Sequence, residues 1–189
     1  TYTYRDYETE SLGRTPRYVW AAFGALCLMA IIWVFYDANT GGHPEIYGPY
    51  ANIFIFSDYW GTNRGYNWKL LMSYFMAFPL LRKLIGAGPE TYGVYTSVRD
   101  YYTMIETTNE TYDSPHNELL QHLFSVGIIG TIGYYGGLIT ATLRGIFGRE
   151  TNAISAACGF GVLCYTAGAM IAISAPTVTP MMILLLSIC

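Results

Sequence analysis

Apolar and polar positions divide the chain into long blocks. Four uncharged apolar runs stand out: Tyr18 to Tyr36 ("YVWAAFGALCLMAIIWVFY"), Leu123 to Leu143, Ala153 to Ala175, and a last run from Pro176 to Cys189. A helix needs roughly 20 apolar residues to cross about 30 Å of hydrocarbon. The first three runs meet that length and the fourth falls short. The pattern predicts an all-α polytopic membrane protein with about four transmembrane helices. The short last run and the polar opening "TYTYRDYETESLGRTPR" read as part of a larger multi-span bundle.

A long connection, residues 37–122, separates the first two spans. Unstructured loops beyond about 15 residues are uncommon unless they carry function. Its inner part, "RGYNWKLLMSYFMAFPLLRKLIG", is apolar around most of its circumference and predicts helix broken at Pro79. Such a helix must bury itself against the membrane face or other helices. "GAGPETYG" then predicts a tight turn. Tyr92 to Tyr112 is polar and tyrosine-rich and reads as a flap or an acceptor-facing surface.

Composition supports the membrane reading. The 189 residues are 52% hydrophobic and 12% charged, against about 25% charged in soluble domains. A net charge of −3 leaves no basic footprint for nucleic acid. Arg5, Arg14 and Arg17 precede the first span, and Arg144 and Arg149 lie between the second and third. Short arginine-flanked loops stay cytoplasmic. Residues 1–17 and 144–152 are therefore expected inside, with 18–36, 123–143 and 153–175 as spans and 176–189 as a truncated one. Residues 37–122 then form a long extracytoplasmic loop. Cys27, Cys158, Cys164 and Cys189 all fall in apolar runs and read as small apolar residues.

Chemistry concentrates where the loop enters the second span, at "YDSPHNELLQ". Asp113 or Ser114 reads as a helix N-cap, with Pro115 at the first helical position and Glu118 suited to the positive end of the helix dipole. His116 is not needed for that purpose, and a histidine at an interface exchanges protons near neutral pH. His116 and His122 are six apart and point to different helical faces, which argues against zinc. There is no nucleophile elbow and no Walker A loop. The spans carry no Asp, Glu, Lys, Arg or His, which argues against a transporter. A non-catalytic scaffold, or a degenerate paralogue binding glycan or a partner protein, stays open beside an enzyme.

From Gly61 onward the chain carries Arg64 with Trp68, then Pro79 leading to Gly86–Ala87–Gly88–Pro89 and Tyr92, then His116–Asn117, Leu120–Gln121, Gly127 and Gly130. In that order and spacing they resemble the O-antigen ligase and polymerase-like superfamily, which implies that residues 37–122 are an extracytoplasmic catalytic loop at a bacterial inner membrane. Asn63 stands where the family often has glycine or serine. The resemblance implies transfer of a glycan from a polyprenyl diphosphate to a hydroxyl of lipid A–core, a growing glycan or a protein, in surface polysaccharide (lipopolysaccharide) assembly. It implies Arg64 on the diphosphate and His116 as base, diphosphate ligand or acceptor-orienting group. Asn117, Glu118, Gly88, Trp68 and Tyr92 are the implied substrate contacts. Neither a metal nor a nucleotide cofactor is required.

Overall fold

The computed structural model describes residues 14–41, 44–148, 151–172 and 178–189, and those residues are helical with no strand. The helices are α1 (Arg14–Thr40), α2 (Ala51–Phe54), α3 (Trp60–Ala77), α4 (Leu80–Ile85), α5 (Thr91–Arg99), α6 (Tyr101–Thr108), α7 (Glu118–Phe147), α8 (Ala153–Ala169) and α9 (Thr179–Ile188), with a 3-10 segment at Pro44–Tyr50 before α2. Two stretches are long and apolar enough to cross a membrane, Pro16–Thr40 and Glu118–Phe147. The helices in the other two apolar runs, Ala153–Ala169 and Thr179–Ile188, have 17 and 10 described residues, against the roughly 20 of a typical span. Most of the expected cytoplasmic segment 1–17, including Arg5, lies outside the described residues, as does Arg149.

Two hydrogen bonds fix which ends lie together. Arg17, only 5% exposed, donates from Nη1 to the carbonyl of Ile146 at 2.9 Å. A buried cation there meets the negative end of the α7 dipole. The start of α1 and the end of α7 therefore share one end of the molecule. At the opposite end, Asn117 Nδ2 donates to the carbonyl of Met170 at 2.6 Å, tying the start of α7 to the end of α8. Helices α7, α8 and α9 pack around Leu138, Val162 and Met182. The glycine-rich stretch of α7 was a natural candidate for close packing. A Cβ added at Gly133, Gly136 or Gly137 would meet nothing, whereas one at Gly145 would meet Cys189 and one at Gly159 would meet Ile146. Close approach in the bundle runs through the latter pair.

The connecting segment folds as a second unit with its own aromatic core of Leu71, Tyr74, Phe75, Phe78, Tyr92, Met104, Tyr112 and Phe124. Phe124 belongs to α7, so the first turns of that helix are built into this outer unit. Helix α3 ends where Pro79 removes a donor, and Pro79 then caps α4. The tyrosine-rich stretch, expected as a flap or an acceptor-facing surface, forms helices α5 and α6, which bury Tyr92, Thr96 and Met104 and leave their other face exposed.

Helix α7 is not straight. Gly127 has φ 70 and ψ −173, a conformation essentially confined to glycine. In a straight helix residues 118 and 134 would lie about 24 Å apart along the axis. Yet the Tyr134 hydroxyl is 3.3 Å from Glu118 Oε1, and the His122 ring stacks on Tyr134 with centroids 4.4 Å apart. The two halves therefore fold toward one another at Gly127. From Gly127 to Phe147 is about 20 residues, or roughly 30 Å, the thickness of the hydrocarbon. The unbroken span thus starts about four residues later than the 123–143 read from hydropathy, because the break interrupts the apolar run.

The glycine-rich turn after α4 seals the break. Phe124 and Ser125 carbonyls, which a continuous helix would bond to residues 128 and 129, accept from the backbone N–H groups of Ala87 (2.8 Å) and Gly88 (2.9 Å). An open break at a membrane boundary would strand polar groups in lipid. The same contact fixes the outer unit onto the span.

Candidate active site

His116 stands at the join of the two units. Its φ is 50, in the left-handed region. Histidine is among the residues that tolerate this region, but the conformation is uncommon and must be held by its surroundings. The holding groups come from both sides. Trp68 Nε1 donates to the Pro115 carbonyl at 2.8 Å, and Asn67 Nδ2 donates to the Ser114 carbonyl at 2.9 Å. On the other side Asn117 accepts from Leu120 N at 3.0 Å while donating to Met170.

This geometry corrects the reading of Asp113 or Ser114 as the cap of α7. Asn117 is the cap. The carbonyls of Ser114 and Pro115 are already taken by α3, and His116 is left-handed, so helix cannot start earlier. Asn117→Ala removes the cap and the tie to α8 together. We expect a loss of about 1–2 kcal/mol, read as a lower midpoint of thermal unfolding in detergent.

Arg64 lies one helical turn before Trp68 on α3, and residues four apart share a helix face. The backbone leading to it is unusual: Gly61, Thr62 and Asn63 are all left-handed, with φ of 60, 61 and 65. Arg64 and His116 are each half-buried, and neither makes a hydrogen bond or ion pair among the described residues. A guanidinium and an imidazole without partners are available to a ligand.

A cavity of about 560 Å³ opens beside His116, lined by Ile105, Asn109, Glu110, Thr111, Tyr112 and His116. Arg64 is not among its lining residues. Its neighbour Asn63 reaches the wall, with Nδ2 3.2 Å from Glu110 Oε2. Tyr112 donates to the same oxygen at 3.3 Å. Burial, with the Glu110 charge adding to it, raises the Tyr112 pKa, so the phenol stays a donor.

The five expected substrate contacts are occupied with structure. Tyr92 is 0% exposed, its hydroxyl donates to Asn67 Oδ1, and burial raises its pKa. A ring so enclosed has no face for a sugar. Trp68 spends its indole N–H on Pro115 and packs against Trp60 at 5.2 Å. Gly88 spends its N–H on Ser125, and its carbonyl accepts from Thr91 Oγ1 at 2.6 Å. Asn117 is spent on Leu120 and Met170. Glu118 is 4% exposed and sits in the angle of α7 with Tyr134, not in the cavity. Residue pattern alone did not single out Glu110, Asn109 or Tyr112. The one available signal was the polar run "TTNETYDSPH" leading into His116.

No group of three or more His, Cys, Asp or Glu placed to hold a metal occurs among the described residues. A family model described as O-antigen ligase matches residues 11–135, about two thirds of the chain, spanning Arg64, the glycine-rich turn, His116 and Gly127. No curated protein and no solved structure matches.

Proposed function

The chain belongs to the O-antigen ligase family of membrane proteins, and from that premise we propose that it transfers a glycan from a polyprenyl-diphosphate carrier to a hydroxyl acceptor. The acceptor is lipid A–core, a growing glycan or a protein, and the reaction takes place at the outer face of a bacterial inner membrane. In the reaction the acceptor oxygen bonds to the anomeric carbon and the bond from that carbon to the diphosphate breaks. The acceptor proton passes to His116. The negative charge left on the diphosphate is met by Arg64.

Each residue type suits its task. A diphosphate is already a stable anion and needs cations more than a proton donor, and a guanidinium binds phosphate oxygens in pairs. A sugar or serine hydroxyl has a high pKa, so a base that removes its proton as the bond forms contributes typically 10²–10⁴-fold. The observation that carries the reading is the clamp at His116. Helix α3 holds Ser114 and Pro115 through Asn67 and Trp68, and the same helix face presents Arg64 one turn away. The side of the membrane follows from the arginines at the Arg17–Ile146 end, which stay cytoplasmic and leave His116 at the opposite end.

Arg64→Lys keeps the charge and loses the paired geometry. In proteoliposomes it is expected to weaken binding of the polyprenyl diphosphate about tenfold, and Arg64→Ala to weaken it further. Unchanged affinity in both variants would remove Arg64 from the site.

A further inference from the structure

The proposed transfer brings together two substrates of opposite electrostatic demand. One end of the donor is a diphosphate. The acceptor presents neutral hydroxyls.

We infer that the cavity beside His116 is the acceptor subsite, that it takes a neutral sugar through its hydroxyls, and that Glu110 is the anchor. The inference rests on the transferase reading above and deepens it. No lysine or arginine is among the described residues lining the cavity, and the carboxylate there is Glu110. A diphosphate placed in it would face that carboxylate across a short distance, with no lining cation to offset the repulsion. A sugar hydroxyl meets the opposite situation, since it donates to the carboxylate in a charge-assisted hydrogen bond.

Glu110 is also prepared for this. Asn63 and Tyr112 both donate to Oε2, so the carboxylate is oriented while Oε1 has no protein donor among the described residues. Asn109, Thr111 and His116 bring further polar groups to the wall and Ile105 gives it an apolar side. At about 560 Å³ the cavity lies within the range of small-ligand sites. Asn63 directly precedes Arg64, so the residue that steadies the anchor adjoins the proposed diphosphate ligand. The diphosphate then binds outside the cavity, toward α3, and the two substrates meet at its rim. The receiving sugar must carry its hydroxyl on an unphosphorylated unit.

The test is a two-substrate transfer assay in proteoliposomes, with polyprenyl-diphosphate-linked glycan as donor and lipid A–core as acceptor. Glu110→Gln preserves shape and accepts the same two donors, and Glu110→Ala removes the anchor. Both are expected to raise the acceptor KM at least tenfold and to leave the donor KM within twofold of wild type. A raised donor KM, or both KM values unchanged, would overturn the assignment while leaving the transferase reading intact. A wild-type chain that transfers nothing to a hydroxyl acceptor would instead defeat that reading and this inference with it. A thermal midpoint for Glu110→Gln equal to wild type shows that the kinetic change is not loss of fold.

Discussion

Gly127→Ala is expected to lower stability by about 4 kcal/mol or more, the sum of three costs at one atom. The first is conformational: a backbone at φ 70 and ψ −173 costs a residue with a Cβ about 1–3 kcal/mol. The second is steric. The added Cβ would lie 2.5 Å from the carbonyl carbon and oxygen of Leu84 and closer still to Gly86 N. Those are main-chain atoms and cannot rotate aside. The third is the pair of hydrogen bonds from Ala87 and Gly88 to Phe124 and Ser125, each worth about 0.5–1.5 kcal/mol and more where water is excluded. A native domain holds about 5–15 kcal/mol in total, so this loss is a large share. For a chain of this size it corresponds to a fall in thermal midpoint on the order of 10 °C, measured in detergent or nanodiscs.

A partner substitution tests the cause. Gly86 is the mirror of Gly127, with φ 83 and ψ −178, and its added Cβ would meet Ser125 and, at 2.5 Å, Val126 N. Gly86→Ala should cost about as much. The double variant should cost clearly less than the sum, because the first substitution already undocks the turn that the second would disturb. Full additivity, or two harmless alanines, would mean that the turn after α4 does not seat in the break of α7.

Substitution of His116 should separate activity from stability. A non-glycine residue in the left-handed region costs about 1–2 kcal/mol relative to glycine. His116→Gly removes that cost together with the imidazole. The variant should be more stable than wild type by about 1 kcal/mol, since His116 is left-handed and its ring makes no hydrogen bond among the described residues whose loss would offset the gain. Transfer should fall by about 10²–10⁴-fold, the usual contribution of a positioned base. His116→Ala should be equally inactive without the gain in stability. A structural histidine would give the reverse, with stability lost and activity largely kept. Proteins tolerate strain of this kind mostly where a side chain must point into a site.

The helical, membrane-embedded character was legible because it rests on run length and composition. The break at Pro79, the turn at Gly86–Gly88 and the importance of Gly127 were legible as motif residues, but their purpose was not. Two glycines forty-one residues apart serve one contact, and no local pattern carries that information. The cap of α7 was misread for a related reason. "DSPHNE" satisfies the local rules for an N-terminus at Asp113 or Ser114, but Asn67 and Trp68 on a distant helix take the carbonyls such a start would use. Tyr92 opens a polar stretch in which no local pattern separates a buried ring from a sugar-facing one, and helix α5 turns it into the core with its hydroxyl on Asn67. Glu110 is an exposed carboxylate in a polar loop, and what marks it is Asn63 and Tyr112 converging on one of its oxygens, which no local pattern carries.

The proposed transfer requires the imidazole at position 116 to accept the proton of an incoming hydroxyl. Adding free imidazole to His116→Gly in the proteoliposome transfer assay tests that most directly, because the substitution vacates space at the cavity wall for the missing ring. Transfer is predicted to be lost in the variant and partly restored as imidazole is raised, with no such stimulation of wild type. Wild-type transfer by His116→Gly with no imidazole present would contradict it.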